Sequence, residues 1–184
     1  RVDIQRLHDQ IKAQGLAAAT ANHYIKLTKH VLNLAIDWGY IETNPAVRVK
    51  LFREENQIER YLSEEELQGL MTVLTTHPNR MVCLIVQFLL STGARLNEAL
   101  QARWDEVDVD KRLWRIPAQN SKSKKVRAVP LNDYALAVLN QLDTKGQYDF
   151  LFINKQTGLP YTGIHKVWGR MRKQAGLPDC RIHD

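Results

Sequence analysis

Residues 81–98 read MVCLIVQFLLSTGARLNE, an apolar run that ends in a polar turn containing glycine. The run from Met81 to Ser91 is apolar on most sides of a helix, which predicts a central, buried helix. Thr92-Gly93 ends this helix, because glycine readily adopts the left-handed conformation of a helix C-cap. Arg95 follows at once, before a short predicted helix from Leu96 to Gln101. The stretch therefore predicts an arginine held at the end of a buried helix.

The flanking sequence predicts further helices and a small sheet. Ser63-Glu-Glu-Glu66 is a capping box that opens a helix, and Asn132 or Asp133 caps another, Tyr134 to Leu142. A last helix is expected from about Thr162 to Gln174. Alternation of apolar and polar residues predicts three short strands, namely Val107/Val109, Leu113 to Ile116 and Val126 to Val129. The predicted fold class is mainly α with a small three-stranded antiparallel sheet (α+β).

The first part of the chain predicts a small helical unit. A helix is expected from an N-cap at Thr20 to about Trp38, preceded by part of another helix. Apolar residues three or four positions apart predict one buried stripe on the longer helix, formed by Tyr24, Leu27, Val31, Leu34, Ala35 and Trp38. The predicted organisation is a helical unit over 1–50, a linker over 51–60 and a larger unit over 61–184.

Composition and motifs exclude several classes of protein. The 184 residues are 44% hydrophobic and 25% charged, which is ordinary for a globular chain. No apolar run reaches the roughly 18 residues of a membrane span, and no signal-like stretch opens the chain. Cys83 and Cys180 match no metal-binding spacing, and a reduced intracellular compartment fits them. Nucleotide loops, zinc-protease motifs and a serine nucleophile elbow are also missing from the sequence.

Positive charge is concentrated in one segment. The protein carries a net charge of +6, yet Lys111 to Arg127 holds seven cations and no anion in 17 residues. Such clustering favours a surface that faces phosphate groups. A solvated basic face is the alternative interpretation.

Three residue types in this order suit phosphodiester chemistry. Arg95 offers a two-pronged donor to a phosphate, a loop lysine can protonate a leaving oxygen, and His183 can add a hydrogen bond or relay a proton. The alternatives are that Arg95 only caps the helix or pairs with Glu98, and that the lysines only make the loop soluble.

Several motifs together resemble the phage integrase, or tyrosine recombinase, family. They are Thr92-Gly-Ala-Arg-Leu-Asn-Glu98, the lysine hairpin followed by Val126-Arg-Ala-Val-Pro-Leu131, and the terminal His183-Asp184. Thr20 to Tyr24 and Gly39 to Pro45 resemble the end of that family's core-binding domain. Arg60-Tyr-Leu-Ser-Glu-Glu-Glu-Leu67 resembles the opening of its catalytic domain. The resemblance covers nearly the whole chain.

The resemblance implies roles for individual residues. Arg95 corresponds to the first catalytic arginine, which contacts the scissile phosphate. Lys122 corresponds to the hairpin lysine, the general acid for the 5′ oxygen, although a one-residue shift of this register stays open. His183 corresponds to the histidine of the His-x-x-Arg box. Glu98 and Asp184 are expected to give structural support.

The resemblance also implies domains and partners. Residues 1–50 would be a partial core-binding, DNA-binding domain, and 61–184 a catalytic domain incomplete at its C-terminus. Duplex DNA at recombination sites and other copies of the protein would be the partners, with no cofactor, metal, membrane or small-molecule substrate. The expected setting is the cytoplasm of a bacterium that carries a phage or another mobile element. The expected DNA contacts are Lys124, Lys125, Arg127, Lys166, Arg170 and Lys173.

The sequence departs from the family pattern at its end. The second arginine and the nucleophilic tyrosine of the family lie beyond Asp184, and all six tyrosines precede His183. The expectation is a site-specific recombinase that, when intact, breaks and rejoins DNA through a 3′-phosphotyrosyl intermediate. The chain as given is expected to be inactive, which leaves a DNA-binding module without chemistry as the second hypothesis. A relative of type IB topoisomerases is a third.

Overall fold

The computed structural model of the protein describes residues 2–54, 60–121 and 124–182. Contacts divide the chain into two compact units, Arg1–Ile58 and Glu59–Asp184. Within the described residues the α-helices are α1 Val2–Ala13, α2 Ala18–Asp37, α3 Glu64–Thr76, α4 Arg80–Thr92, α5 Leu96–Leu100, α6 Asp133–Asn140 and α7 His165–Gln174. The strands are β1 Val107–Asp108, β2 Leu113–Ile116, β3 Arg127–Pro130, β4 Ile153–Asn154 and β5 Leu159–Pro160. No helix in these ranges combines the length and hydropathy that crossing a bilayer needs.

The first unit packs α1 against α2 and fastens the chain that follows α2. Asn22 is fully buried, and its side chain pairs with the backbone of Phe52: Oδ1 accepts the Phe52 N–H and Nδ2 donates to the Phe52 carbonyl, both at 2.9 Å. The buried ring of His8 lies 3.1 Å from Asn22 Oδ1 and stacks at a tilt on the Phe52 ring. The beginning of the predicted linker is therefore held against the helices by a buried polar network.

The predicted burial of the α2 stripe is wrong. Tyr24, Leu27, Val31 and Trp38 are between 49% and 68% exposed. The face of α2 that packs inward instead carries Ala21, Asn22 and Ile25. The helix has apolar residues on more than one side, and α1 with the chain around Ala46 and Val49 covers a single side. The predicted N-cap at Thr20 is also wrong, since α2 begins at Ala18 without a side-chain cap.

Helix α4 is the centre of the second unit, as its apolar sequence predicts. Seven of its residues are buried, and the helix contacts α3, α5 and α6. The Phe88 ring lies 5.3 Å from the Trp114 ring of β2 and 5.5 Å from the Phe152 ring, measured between centroids. Tilted aromatic contacts of this kind fix side chains in one arrangement. The end of α4 and the sheet are thus parts of one packed core.

The three predicted strands form one antiparallel sheet in the order β1-β2-β3. Trp114 pairs with Val129 and Ile116 pairs with Arg127. Buried residues alternate with exposed ones along β2, which is why the pattern was visible in the sequence. The fold class is confirmed: mainly α with a small three-stranded antiparallel sheet.

Two other features differ from the sequence-based expectations. A second hairpin, β4 with β5, was not predicted, and each of its strands has two residues. Its turn contains Gly158 at φ 69°, a conformation that glycine adopts without strain. Helix α7 begins at His165 and not at Thr162.

The capping box at the start of α3 gives a stability prediction. Ser63 Oγ accepts the Glu66 N–H, and Glu66 Oε2 accepts the Ser63 N–H at 3.0 Å. The Arg60 guanidinium and the Ser63 N–H hold the pKa of Glu66 at about 2, so this carboxylate stays charged in mildly acidic solution. Ser63→Ala should lower the free energy of unfolding by about 1 kcal/mol in urea titrations.

The matched control is Thr75→Ala in the same helix, because the Thr75 hydroxyl donates only to the carbonyl of Thr72. That substitution should change stability by less than about 0.5 kcal/mol. Equal effects of the two substitutions would contradict the role given to the cap.

Candidate active site

The turn after α4 places Arg95. Gly93 takes φ 60° and ψ 21°, a left-handed C-cap, and its N–H donates to the Leu89 carbonyl at 2.9 Å. Ala94 is buried, and Arg95 then opens α5 as its N-cap with extended backbone. The Arg95 side chain is 53% exposed. Its guanidinium therefore faces solvent from a backbone that is fixed by buried neighbours on both sides.

The carboxylate of Glu98 holds Arg95 and a second arginine. The Glu98 side chain is 1% exposed. Oε2 accepts the backbone N–H of Arg95 and Oε1 accepts its Nη1, each at 2.9 Å. Oε2 also accepts Nη2 of Arg127 at 2.5 Å. One buried carboxylate thus anchors two guanidinium groups, and N–H donors of Arg95 remain available for an anion.

The pKa of Glu98 is lowered. Burial alone raises the pKa of its carboxyl, but the backbone N–H of Arg95 and the two guanidinium groups outweigh burial. Hydrogen bonds and positive charges that favour the ionised form have this effect. The carboxylate is therefore charged at neutral pH, and the cluster keeps a net charge of about +1, from two arginines and one glutamate.

The lysine loop, residues 117–126, joins β2 to β3 beside this cluster. The predicted catalytic Lys122 lies outside the described residues. Lys124, two positions further along the sequence, has φ 52° and donates its N–H to the Ser121 carbonyl at 2.9 Å. Lys124 and Lys125 are exposed. Described cations of the loop thus point to solvent next to the strand that carries Arg127.

The basic segment 111–127 divides into paired and unpaired cations. Lys111 pairs with Asp108 at 2.9 Å and Arg112 pairs with Asp133 at 2.6 Å. Arg127 pairs with Glu98. Among the described cations of the segment, those that form no ion pair with a described carboxylate are Arg115, Lys124 and Lys125.

The end of the described chain approaches the Gly93 turn. A largely apolar cavity of about 250 Å³ is lined on one side by Gly93 and Ala94 and on another by Arg181 and Ile182. Ile182 also packs against the main core. His183 and Asp184 lie outside the described residues, but they follow Ile182 directly in the sequence.

The predicted contacts on α7 are not all near Arg95. Lys166, Arg170 and Lys173 are exposed on this helix. Arg170 lines a groove with Arg80, at the N-terminal end of α4. Arg95 follows the other end, and a helix of 13 residues is about 20 Å long. The structure therefore does not bring Arg170 together with Arg95.

The six tyrosines and the possible metal ligands are the other side chains with reactive groups. Tyr24, Tyr40, Tyr61, Tyr134 and Tyr148 are at least 39% exposed. Tyr161 is half-buried, and burial raises the pKa of its phenol. Among the described side chains, no three His, Cys, Asp or Glu residues are placed to bind a metal ion.

Sequence reasoning did not predict the pairing of Arg127 with Glu98. It assigned Glu98 to structural support and Arg127 to DNA binding, and the DNA contact of Arg127 stays a prediction. The two residues are 29 positions apart. The local sequence pattern does not mark this pair, because the register that sets Arg127 opposite the buried Ile116 is visible only in the structure.

Comparison with known proteins agrees with this arrangement of elements. The family model described as "Phage integrase family" matches residues 60–184, more than half of the chain. The chain belongs to the phage integrase family. This confirms the resemblance noted from the Gly93–Glu98 turn, the lysine hairpin and the terminal residues.

Two phage integrase relatives show how much of such a protein the chain represents. It is 26% identical to the integrase of Salmonella phage P22, over 94% of this chain and 46% of that protein. It is 33% identical to the prophage integrase IntA of Escherichia coli K12, over 77% of this chain and 35% of that protein. The chain thus spans less than half the length of these relatives.

Solved integrases share the fold. The Tn1549 transposon integrase in complex with a circular intermediate DNA matches 99% of this chain and 68% of its own, with a TM-score of 0.80 and 19% identity. A lambda integrase dimer bound to a core site matches 95% of this chain and 64% of its own, with a TM-score of 0.75 and 17% identity.

The Glu98 cluster of this phage integrase predicts a pH-dependent stability. Glu98→Gln removes the charge that both arginines share, and should lower the free energy of unfolding by about 2–3 kcal/mol at pH 7. Because the folded pKa of Glu98 lies below its unfolded value, the contribution is complete above the unfolded pKa, about 4.5. It is lost as the pH falls through the folded pKa.

Urea unfolding of both proteins between pH 7 and pH 3 measures the difference. The stability gap between wild type and Glu98→Gln should narrow below about pH 4.5. The control is Asp110→Asn, which removes an exposed carboxylate of the same unit. The difference in the free energy of unfolding between wild type and this variant should stay near zero at every pH. A gap that is the same at pH 7 and pH 3 would show that ionisation of Glu98 does not stabilise the fold.

Proposed function

We propose that the chain is part of a site-specific DNA recombinase and that unit Glu59–Asp184 holds the reacting phosphate at Arg95. The observation that carries this proposal is the half-exposed guanidinium of Arg95 on a buried carboxylate, in a chain of the phage integrase family. A planar guanidinium with free N–H donors binds a phosphate by two parallel hydrogen bonds. Because Glu98 already holds the Arg95 guanidinium in place, binding DNA costs less entropy than ordering a free side chain would.

Lys122 is the proposed general acid. It lies in the loop between β2 and β3, and β3 begins with Arg127 on the Arg95 cluster. A loop that starts and ends beside the phosphate site can deliver an ammonium proton to the leaving oxygen. His183 is the proposed third group, supported by the closeness of Ile182 to the Gly93 turn across one cavity. Asp184 and Glu98 are proposed to support these groups.

The proposed reaction of the intact protein follows the family resemblance. A tyrosine hydroxyl attacks phosphorus and gives up its proton, which His183 is proposed to relay, while the bond from phosphorus to the 5′ oxygen breaks and the lysine supplies the proton that this oxygen takes up. The product is a 3′-phosphotyrosyl link, which a second 5′ hydroxyl later reverses. Arg95 and its neighbours stabilise the negative charge that builds up on the phosphate oxygens.

The proposed partners are duplex DNA and other copies of the protein. The titles of the structural neighbours support both: the Tn1549 integrase binds a circular intermediate DNA, and lambda integrase forms a tetramer on a Holliday junction. The helical unit over 1–50 would bind DNA as part of a core-binding domain, with 51–60 as the linker. The setting would be DNA in the bacterial cytoplasm.

The lysine loop predicts the salt dependence of DNA binding. Replacing Lys124 and Lys125 together by Gln should weaken binding and lower the slope of log K against log salt by about 2, because each phosphate contact contributes about 0.9. Fluorescence anisotropy with a 30-base-pair duplex, titrated at several NaCl concentrations, measures this slope.

The control removes the same charge from the turn between β1 and β2. Lys111→Gln with Arg112→Gln deletes two cations that pair with Asp108 and Asp133. Its slope should change by less than about 0.5. An unchanged slope in the Lys124/Lys125 variant would show that the loop does not touch phosphate.

The 184-residue chain as printed is proposed to bind DNA without cleaving it, because its six tyrosines all precede His183. In a trapping assay with a nicked duplex, denaturing gels should show no covalent complex, while native gels show a bound one. A covalent band that peptide mapping assigns to any of the six tyrosines would refute this second proposal. In a longer protein that does cleave, Arg95→Ala and Lys122→Ala should each abolish cleavage, and Arg95→Ala should also lower the free energy of unfolding because Glu98 loses one of its two cations.

A further inference from the structure

We infer that Arg127 is a positioning residue, whose ion pair with Glu98 sets the place of the lysine loop relative to Arg95. The inference rests on the proposed function, since it concerns how the same site is arranged. It gives Arg127 a role different from direct contact with DNA.

The contacts show how the Glu98 carboxylate can fix the positions of both Arg95 and Arg127. Glu98 Oε1 accepts from Arg95, and Oε2 accepts from Arg127. Each guanidinium is thus tied to its own oxygen of a group that is 1% exposed and cannot swing into solvent without losing its partners. The start of β3 is therefore fastened to the start of α5 by side chains.

The base of the lysine loop is fixed at both ends. On the β2 side Ile116 is 1% exposed and lies in the main core. On the β3 side Arg127 pairs with Ile116 in the strand register and with Glu98 through its side chain. The loop is therefore held at its β2 end by the buried Ile116 and at its β3 end by the ion pair of Arg127 with Glu98.

Beyond this base the loop has local support. Its described backbone hydrogen bonds join neighbours within the loop: Asn120 to Pro117, Ser121 to Ala118 and Lys124 to Ser121. Val126, directly before Arg127, is 68% exposed. Ser121 is only 5% exposed, so the part of the loop whose direction depends on what holds Arg127 is its β3 side, residues 124–126.

Direct binding of Arg127 to phosphate fits these contacts less well. Its Nη2 is engaged by Glu98, and its Nε is buried without a hydrogen-bond partner among the described atoms. Turning the guanidinium outward to a phosphate would leave Oε2 of Glu98 with the Arg95 N–H alone. A buried carboxylate that loses one of its two cations is destabilised.

The test compares Arg127→Gln, Arg127→Lys and Arg115→Gln in the free chain. Arg115 is exposed on β2 and gives a charge-matched control on the same sheet. Amide hydrogen exchange reports the loop and β3, residues 117–129, separately from α4. Arg127→Gln should speed exchange of the loop and β3 amides by about tenfold or more, and that of the α4 amides by clearly less, because the ionic anchor opens locally.

Rescue separates an ionic anchor from simple packing. Arg127→Lys keeps the positive charge opposite Glu98 and should restore most of the protection, and Arg115→Gln should leave it at the wild-type level. Wild-type exchange in Arg127→Gln would overturn the inference. An equal loss of protection in α4, or an Arg127→Lys variant as fast as Arg127→Gln, would assign Arg127 to general stability and also overturn it.

DNA binding gives the second readout. If Arg127 positions the loop, Arg127→Gln should weaken binding several-fold with a salt slope close to that of wild type. If Arg127 contacts a phosphate, the slope should fall by about 0.9, and this result with wild-type exchange would overturn the inference. A wild-type chain that shows no salt-dependent binding would refute the proposed function, and the exchange experiment would still measure the anchor.

Discussion

The site depends on a carboxylate that the fold buries and must therefore neutralise. A buried charge is tolerated when it is paired and fully hydrogen-bonded. Glu98 meets this requirement with a backbone N–H and the side chain of Arg95, and with Arg127 from the sheet. Each partner is thereby given a fixed place. The same constraint that keeps the protein folded also leaves one half-exposed guanidinium at the end of a rigid helix.

The helix that precedes this turn explains why the place is rigid. Phe88 of α4 contacts both Trp114 of β2 and Phe152, so the helix and the sheet share one aromatic contact. Interiors packed in this way transmit displacement and do not absorb it. Arg95 leaves one side of this core, at the end of α4, and the lysine loop leaves it from β2 and β3. The packed core therefore sets the approximate distance between Arg95 and the lysine loop. The ion pairs of Glu98 with Arg95 and Arg127 then fix that distance more closely.

Local signals in the sequence were sufficient for most of the second unit. The Gly93 stop and the Ser63 capping box each act within about one helical turn, the apolar run lies within the 13 residues of α4, and the alternation along β2 lies within four residues. Burial of the α2 stripe depended on which side of the helix other elements cover. The spacing of apolar residues along the sequence does not give that information. The pairing of Arg127 with Glu98, which are 29 positions apart, depended on the strand register that sets Arg127 opposite Ile116. Lys122 and His183 lie outside the described residues and stay predictions.

The same distinction applies to charge. Seven cations in the segment 111–127 suggested a localised surface that faces phosphate groups. In the structure three of them, Lys111, Arg112 and Arg127, are paired with carboxylates from elsewhere in the chain. Pairing lowers the field near those side chains and leaves it strongest where no carboxylate lies close, which includes the exposed Lys124 and Lys125. A polyanion such as DNA is therefore expected to approach the sheet at the lysine loop, and the placement of acidic residues is the physical reason for this expectation.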